Sequence, residues 1–387
     1  MGEWKEYRLG EITTEIGDGL HGTPKFSADG IYYFINGNNI FDGKIFIKDE
    51  TKKVSFNEYE LYKKPLCDRT LLLSINGTIG NVAFYRGEKC ILGKSACYLN
   101  IKDTVDKRFV YYYFLSNDFQ THLRNIATGT TIQNVPLKGL RESLILLPSL
   151  SEQKRISSIL SSLDDKIDLL HRENETLEAM AETLFRKWFI EDAKDELSET
   201  ILGDVVETTS GGTPSRKNEK YYQNGTIDWV KSKELNGTFL LETEEKITED
   251  AVANSSAKFI PANSVLIAMY GATVGENAII AKEMTCNQAI CALIPNENYP
   301  YTYLFLWAKL MKEEFINLAC GAAQQNISQV LIKQQQVCSD IDAVKQFHST
   351  TEPLFNKIKQ NEIQLSSLKD IKNMILPKLM NNESINE

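Results

Sequence analysis

Ser149-Leu150-Ser151-Glu152-Gln153-Lys154-Arg155-Ile156 opens the stretch that decides the fold. Behind it Ile156, Leu160, Leu163, Ile167, Leu170, Asn174, Leu177, Ala181, Leu184 and Trp188 recur in alternating steps of four and three, a heptad seam. Ser149 and Glu152 have the spacing of a capping box, with Ser149 as N-cap and Glu152 at the third helical position. An uninterrupted helix over 151–190 is about 60 Å long. A second seam lies near the other end: Phe347, Thr351, Leu354, Ile358, Asn361, Leu365, Leu368, Lys372, Ile375 and Leu379. Neither helix can hide its apolar stripe alone, so the two are expected to pack on each other. Antiparallel packing gives facing residues a constant index sum. With the seam polar residues Asn174 and Asn361 opposed, that sum is 535 and the pseudo-two-fold axis falls near 172 and 363. Buried seam asparagines fix register, and this pair is expected to do so.

Outward from the helices the chain repeats itself. Leu9-Gly10-Glu11 returns as Leu202-Gly203-Asp204, and Gly22-Thr23-Pro24 as Gly212-Thr213-Pro214. Asn76-Gly77-Thr78-Ile79-Gly80 is echoed by Gly271-Ala272-Thr273-Val274-Gly275, and Lys94-Ser95-Ala96 by Asn287-Gln288-Ala289. The 129–135 stretch returns at 321–327, so every offset lies between 190 and 195 and one duplication explains them all. Each copy carries short aromatic and β-branched runs bounded by Gly, Asn and Asp, which read as strands: Ile31 to Ile35, Leu71 to Ile75, Val82 to Arg86 and Ala96 to Ile101 in the first. Helices are expected from Lys107 to Ile126 and from about Tyr301 to Leu318. The fold class is α+β: two similar domains separated by two long helices packed as an antiparallel coiled coil, with pseudo-two-fold internal symmetry. The expected bounds are 1–148 and 193–338 for the domains, 149–192 and 339–380 for the helices, and 381–387 for a disordered tail.

With 387 residues, 42% hydrophobic and 25% charged, the chain has the composition of a soluble multidomain protein. No apolar run approaches the roughly 20 residues that span a bilayer, and the start lacks the pattern of a signal peptide, so a cytoplasmic location without membrane contact is expected. Seven cysteines include no CxxC pair and no histidine at ligand spacing, which points to reduced, buried thiols and no metal. The net charge of −9 argues superficially against a nucleic acid, but its distribution is uneven. Residues 1–150 carry +2, 151–199 carry −6, and 200–340 carry −5. A DNA-binding reading therefore requires partners that contribute positive charge.

Catalytic signatures are missing. Gly87-Glu88-Lys89-Cys90-Ile91-Leu92-Gly93-Lys94-Ser95 resembles a phosphate-binding loop but puts five residues between the glycines where four are needed. Four scattered histidines form no catalytic pattern, and the chain reads as a recognition component with no catalytic residue of its own.

What recurs instead is a set of small polar loops. Glycine permits close backbone approach, and Ser, Thr, Asn, Gln, Lys and Arg reach phosphates and base edges. In the first domain the candidate DNA contacts are Thr23, Lys25, Asn38, Asn76, Thr78, Lys94, Ser95, Thr130, Thr131 and Gln133. In the second they are Thr213, Ser215, Arg216, Lys217, Lys231, Lys233, Tyr270, Thr273, Asn287, Gln288, Gln324, Gln325 and Asn326. Taken singly, each loop reads better as an ordinary turn than as a contact. Their recurrence at matched places is what favours a contact surface.

The ordered set resembles the specificity (S) subunit of type I restriction–modification systems over nearly the whole chain. Leu9-Gly10-Glu11-Ile12 with Leu202-Gly203-Asp204-Val205, the Gly-Thr-Pro turns, Asn76 to Gly80 and Gly129 to Gln133 carry the resemblance. So do the junction Leu147-Pro148-Ser149-Leu150-Ser151-Glu152-Gln153-Lys154-Arg155-Ile156, Leu163 to Ile167, and Leu184 to Phe189. The resemblance implies two target-recognition domains, each reading one half of a split double-stranded DNA target, with the coil setting the gap. It implies two methyltransferase (M) subunits that bring S-adenosylmethionine and adenine-N6 chemistry, and restriction motor (R) subunits that bring ATP and Mg²⁺. No cofactor would be bound by this chain. The second junction, Val337-Cys338-Ser339-Asp340-Ile341-Asp342, lacks the Pro and Glu-Gln of the first, a departure that bears on the distal helix boundary. A subunit of a methylation-only system would share all these features; a coiled-coil scaffold that binds only proteins is the alternative of a different class.

Overall fold

The computed structural model describes residues 4–129, 132–191, 198–320 and 326–381. The chain divides into two compact units, Met1–Lys166 with Leu368–Glu387, and Ile167–Ser367.

In the first unit a four-stranded antiparallel sheet has the order Thr13–Asp18, Ala96–Ile101, Thr70–Ser74, Val82–Phe84. The two inner strands are buried along their whole length, and their side chains alternate between two cores. Leu71, Leu73, Cys97 and Leu99 face a core with Phe109, Phe114, Phe119 and Leu140. Leu72, Ala96 and Tyr98 face another with Ile35, Ile40, Cys90 and Leu92. Burial on both faces explains why these strands read as continuous apolar runs. The second core is covered by a three-stranded sheet, Lys53–Val54, Tyr32–Ile35, Cys90–Leu92, in which the last two run parallel. Lys5–Arg8 pairs with Leu144–Leu147 to close the domain.

The second unit repeats this plan. Glu207–Ser210, Ile290–Ile294, Val265–Ala268, Asn277–Ile280 and Phe239–Leu240 form the main sheet. Lys246–Ile247, Ile227–Val230 and Thr285–Cys286 form the smaller one, again with one parallel pair. Glu199–Ile201 pairs with Gln336–Cys338 at the closing position.

The helix expected over 107–126 is two helices, Lys107–Leu115 and Asn117–Ile126. Ser116 divides them with an extended backbone; its Oγ donates to the Tyr113 carbonyl at 2.7 Å and accepts from the Phe119 N–H at 3.3 Å. A serine that ends one helix and caps the next satisfies groups both would leave open. In the second unit the same division falls at Met311, between Tyr301–Leu310 and Lys312–Cys320.

The central long helix runs from Leu150 to Arg186 and widens into a π turn over Lys187–Glu191; the distal one spans Ile341–Met380. Ser149 Oγ accepts from the Glu152 N–H at 3.3 Å, while the Glu152 carboxylate pairs with Arg155 at 2.6 and 2.8 Å. Within the second unit the two helices run antiparallel: the Trp188 and Phe347 rings meet at 5.8 Å, and Asn174 meets Asn361, both pairs with index sum 535. The seam residues Ala181, Phe347, Thr351, Ile358 and Leu365 are buried. Within the first unit Ile156, Leu160, Leu379 and Met380 join the domain core, and Lys372 reaches Asp164 at 2.5 Å. Full burial of each such aliphatic side chain contributes about 1.5–3 kcal/mol.

Candidate nucleic-acid interface

The recurring loops of the first domain converge on one edge of its main sheet. Leu20, entering the Gly-Thr-Pro turn, donates its N–H to the Leu92 carbonyl at 2.7 Å. A Cβ on Gly19 would stand 2.1 Å from that carbonyl, so only glycine permits the approach. The 36–39 turn is tied to the 93–95 loop by Ser95 Oγ, which accepts from the Gly37 N–H at 2.9 Å and donates to Asn36 Oδ1 at 3.1 Å. Thr128 and Asn134 exchange backbone hydrogen bonds. Gln133 and Asn134 lean on the 76–80 loop: Asn76 Nδ2 donates to Asn134 Oδ1 at 3.3 Å, and the Gly77 N–H to the Gln133 carbonyl.

The second domain builds the same edge. Gly212 donates to the Cys286 carbonyl at 2.9 Å, and a Cβ on Gly211 would lie 2.1 Å from it. Asn287 donates to the Val230 carbonyl at 2.9 Å, which joins the 286–289 loop to the 231–234 turn. Tyr270 bridges to Asn326, as Asn76 does to Asn134. The structural correspondence therefore pairs Asn76 with Tyr270 and Gly77 with Gly271, one residue away from the sequence alignment. Gly77 and Gly271 share a positive φ, at 73° and 67°, and the second loop is one residue longer. By the same logic Lys94 matches Gln288: Ile75 donates to the Ser95 carbonyl as Met269 does to that of Ala289.

Among the candidate contacts Thr23, Lys25, Asn38, Thr78, Lys94 and Gln133 are exposed in the first domain, and Thr213, Ser215, Arg216, Lys217, Lys233, Tyr270 and Gln288 in the second. Asn76, Lys231, Thr273, Asn287 and Asn326 are half-buried. Ser95 is engaged in the loop–loop bonds above, and Asn287 Oδ1 accepts from the Ala289 N–H at 3.1 Å, so both side chains already serve the scaffold. Thr130, Thr131, Gln324 and Gln325 lie outside the described residues. Within the segment resembling a phosphate loop, Cys90–Leu92 is a strand paired with Tyr33–Ile35, which commits that part of the backbone to the sheet.

Electrostatics divide the two edges. Lys25 and Lys94 side chains pair with no carboxylate among the described residues, and Lys217 is alike. Arg216 is instead held by Glu245 in a two-pronged contact and lies over the rings of Tyr222, at 4.1 Å, and Trp229, at 5.1 Å. Lys231 lies 3.4 Å from Glu244 and 3.5 Å from Glu245, and Lys233 lies 2.6 Å from Glu244. Hydrogen bonds from Arg216 hold the Glu245 carboxyl below its ordinary range, and those from Lys233 and Lys231 do so for Glu244. The sequence reading missed these two glutamates. They follow Lys231 by 13 and 14 residues, a separation that only the strand geometry brings to contact.

The described residues hold no group of three or more His, Cys, Asp or Glu able to bind a metal, and no helix long and apolar enough to cross a membrane. Burial pushes the thiols of Cys90, Cys286 and Cys291 up to about 12, as inert core groups.

Two α+β domains with matched polar edges and two long helices make up the chain, and comparison with known proteins gives its family. The type I restriction modification DNA specificity domain matches residues 1–179 and 195–338, so this chain belongs to the family of type I restriction–modification specificity subunits. The HindI specificity subunit of Haemophilus influenzae is 23% identical across 99% of this chain and 100% of its own length. The MjaIX specificity subunit of Methanocaldococcus jannaschii is 29% identical across 80% of this chain and 76% of its own. The crystal structure of the type I restriction–modification S subunit from M. genitalium shares the fold, with a TM-score of 0.64 at 19% identity over 98% of this chain and 96% of that one.

Proposed function

We propose that this chain is the non-catalytic subunit that reads a bipartite double-stranded DNA target and directs methyltransferase and restriction subunits to it. The observation that supports the reading most directly is the pair of equivalent edges with unequal chemistry. The same scaffold positions carry Lys94 and Asn76 in one domain, Gln288 and Tyr270 in the other. A duplicated scaffold with divergent tips is suited to two different half-sites. On this reading 1–148 and 193–338 are the readers, and the paired helices set the spacer. Two methyltransferase subunits supply S-adenosylmethionine chemistry on adenine, and motor subunits supply ATP and Mg²⁺ chemistry.

Co-expression with the methyltransferase products of the same operon, followed by sequence-resolved adenine methylation, tests this. The expected result is a split motif that requires this chain. Methylation that is absent or indifferent to this chain would favour the protein-binding scaffold instead.

A further inference from the structure

We infer that Glu244 and Glu245 act as an internal phosphate mimic, holding the DNA-facing cations of the second reader in ion pairs that only a DNA backbone seated at the reading edge displaces. The inference rests on the reading proposed above and concerns how it rejects wrong sequences.

The three cations come from the two loops that frame the edge. Arg216 follows the Gly212-Thr213-Pro214 turn, Lys231 precedes the turn at 232–234 and Lys233 lies within it. All three face the same two carboxylates, which sit side by side after the strand Phe239–Leu240. The arrangement is held from below. Glu234 accepts from the backbone N–H of Lys231 at 2.8 Å and from that of Glu244 at 2.7 Å, so one carboxylate fixes both loops. Thr243 donates from its N–H and Oγ to Asp228 Oδ1, each at 3.1 Å, which anchors the residue before Glu244. Arg216 is further stacked on Tyr222, whose hydroxyl donates to the Pro214 carbonyl at 2.6 Å.

Two carboxylates facing three cations carry the charge of two phosphodiesters and accept the same charge-assisted hydrogen bonds. Arg216, Glu244 and Lys233 are solvent-exposed, and exposed ion pairs are weak. They can be exchanged for phosphate contacts, but a sequence-independent encounter gains little from the exchange. Neutralised cations release fewer counterions on binding, so non-specific affinity and its salt dependence both fall. Seating the base contacts supplies the rest, which converts a generally sticky surface into a selective one. The first reader carries Lys25 and Lys94 without such partners, so this restraint belongs to the second reader.

The test uses the assembled complex with its methyltransferase subunits and compares wild type with Glu244→Gln/Glu245→Gln, leaving Glu234 and Asp228 intact. Binding to a duplex without the target, measured by anisotropy across a salt series, should tighten about tenfold. The slope of log affinity against log salt should steepen by up to about three, roughly 0.9 for each of the freed cations. Methylation should spread to degenerate second half-sites while the first stays strict. Unchanged non-specific affinity and slope would overturn the inference. So would an Arg216→Gln/Lys231→Gln/Lys233→Gln variant that binds target DNA as wild type does. If the wild-type complex prefers no split sequence at all, the failure lies with the functional reading itself.

Discussion

Asn361 Nδ2 donates to Asn174 Oδ1 at 2.8 Å across the helix seam, and both side chains are closed to solvent. Each also engages a glutamate on the opposite helix, Asn361 with Glu173 at 2.9 Å and Asn174 with Glu362 at 2.7 Å. A four-residue polar network in an apolar seam is costly to break by halves. Asn361→Leu should lower stability by about 1–3 kcal/mol, because Asn174 keeps a buried acceptor without its donor. Adding Asn174→Leu should recover much of that loss, so a double-mutant cycle in urea should show coupling above about 0.5 kcal/mol. Strict additivity would deny the pair any role in register.

Each reader is clamped to a helix of its own unit. In the first, Asp164 accepts from the Tyr112 hydroxyl at 2.8 Å and from Lys372 at 2.5 Å. In the second, Lys309 joins Glu178 and Glu182. Tyr112→Phe should cost about 1.5–3 kcal/mol, as loss of one hydrogen bond to a charged carboxylate does. Under the proposed function, Tyr112→Phe and Lys309→Met should leave both half-sites unchanged in sequence while widening the tolerated spacer. Methylation profiles on a spacer library would read this out, and an unchanged spacer preference would count against it.

The close approaches at Gly19 and Gly211 give a domain-specific lesion. A methyl group at either must displace a strand carbonyl from 2.1 Å, and with it the Gly-Thr-Pro turn. Gly19→Ala should degrade discrimination at one half-site and Gly211→Ala at the other. Equal loss at both half-sites from either substitution would show that the turns do not act locally.

Acid should act on the second reader through Asp228. Burial pushes its carboxyl up, but bonding from Lys282, at 2.9 Å, and from Thr243 outweighs this and leaves it below the ordinary value. A carboxylate lowered in the folded state contributes stability in full above the unfolded value, about 3.9, and loses it as pH falls through the folded one. Asp228→Asn should therefore destabilise by about 1–3 kcal/mol at neutral pH. The gap to wild type in denaturation midpoint should close as the pH is taken below about 4.

Duplication, the strand runs and the helix seam were legible because they are written in periodicity, which survives substitution. Lys372 stands at a seam position, where it carries its charge to Asp164 and lays its ammonium 5.8 Å from the Tyr112 ring. Ser116 was read as an interior helix residue because its neighbours keep helical spacing; only its backbone shows the break. Local spacing also recovered the loops that form the two edges. It could not separate Ser95, whose hydroxyl binds the neighbouring turn, from Lys94, which stays exposed, nor could it bring Glu244 to Lys233. Such pairings depend on strand neighbours, which sequence distance does not encode.

The second unit, Ile167–Ser367, is inserted within the first, whose core takes in Leu379 and Met380. During synthesis the domain made first therefore waits longest. Its sheet can form early, but the surface that receives Leu379 and Met380 stays open until the whole second reader has emerged. The core of the first domain closes only after the second unit is made, and a chain that ends between 367 and 379 holds all of the second unit while the first still lacks Leu379 and Met380.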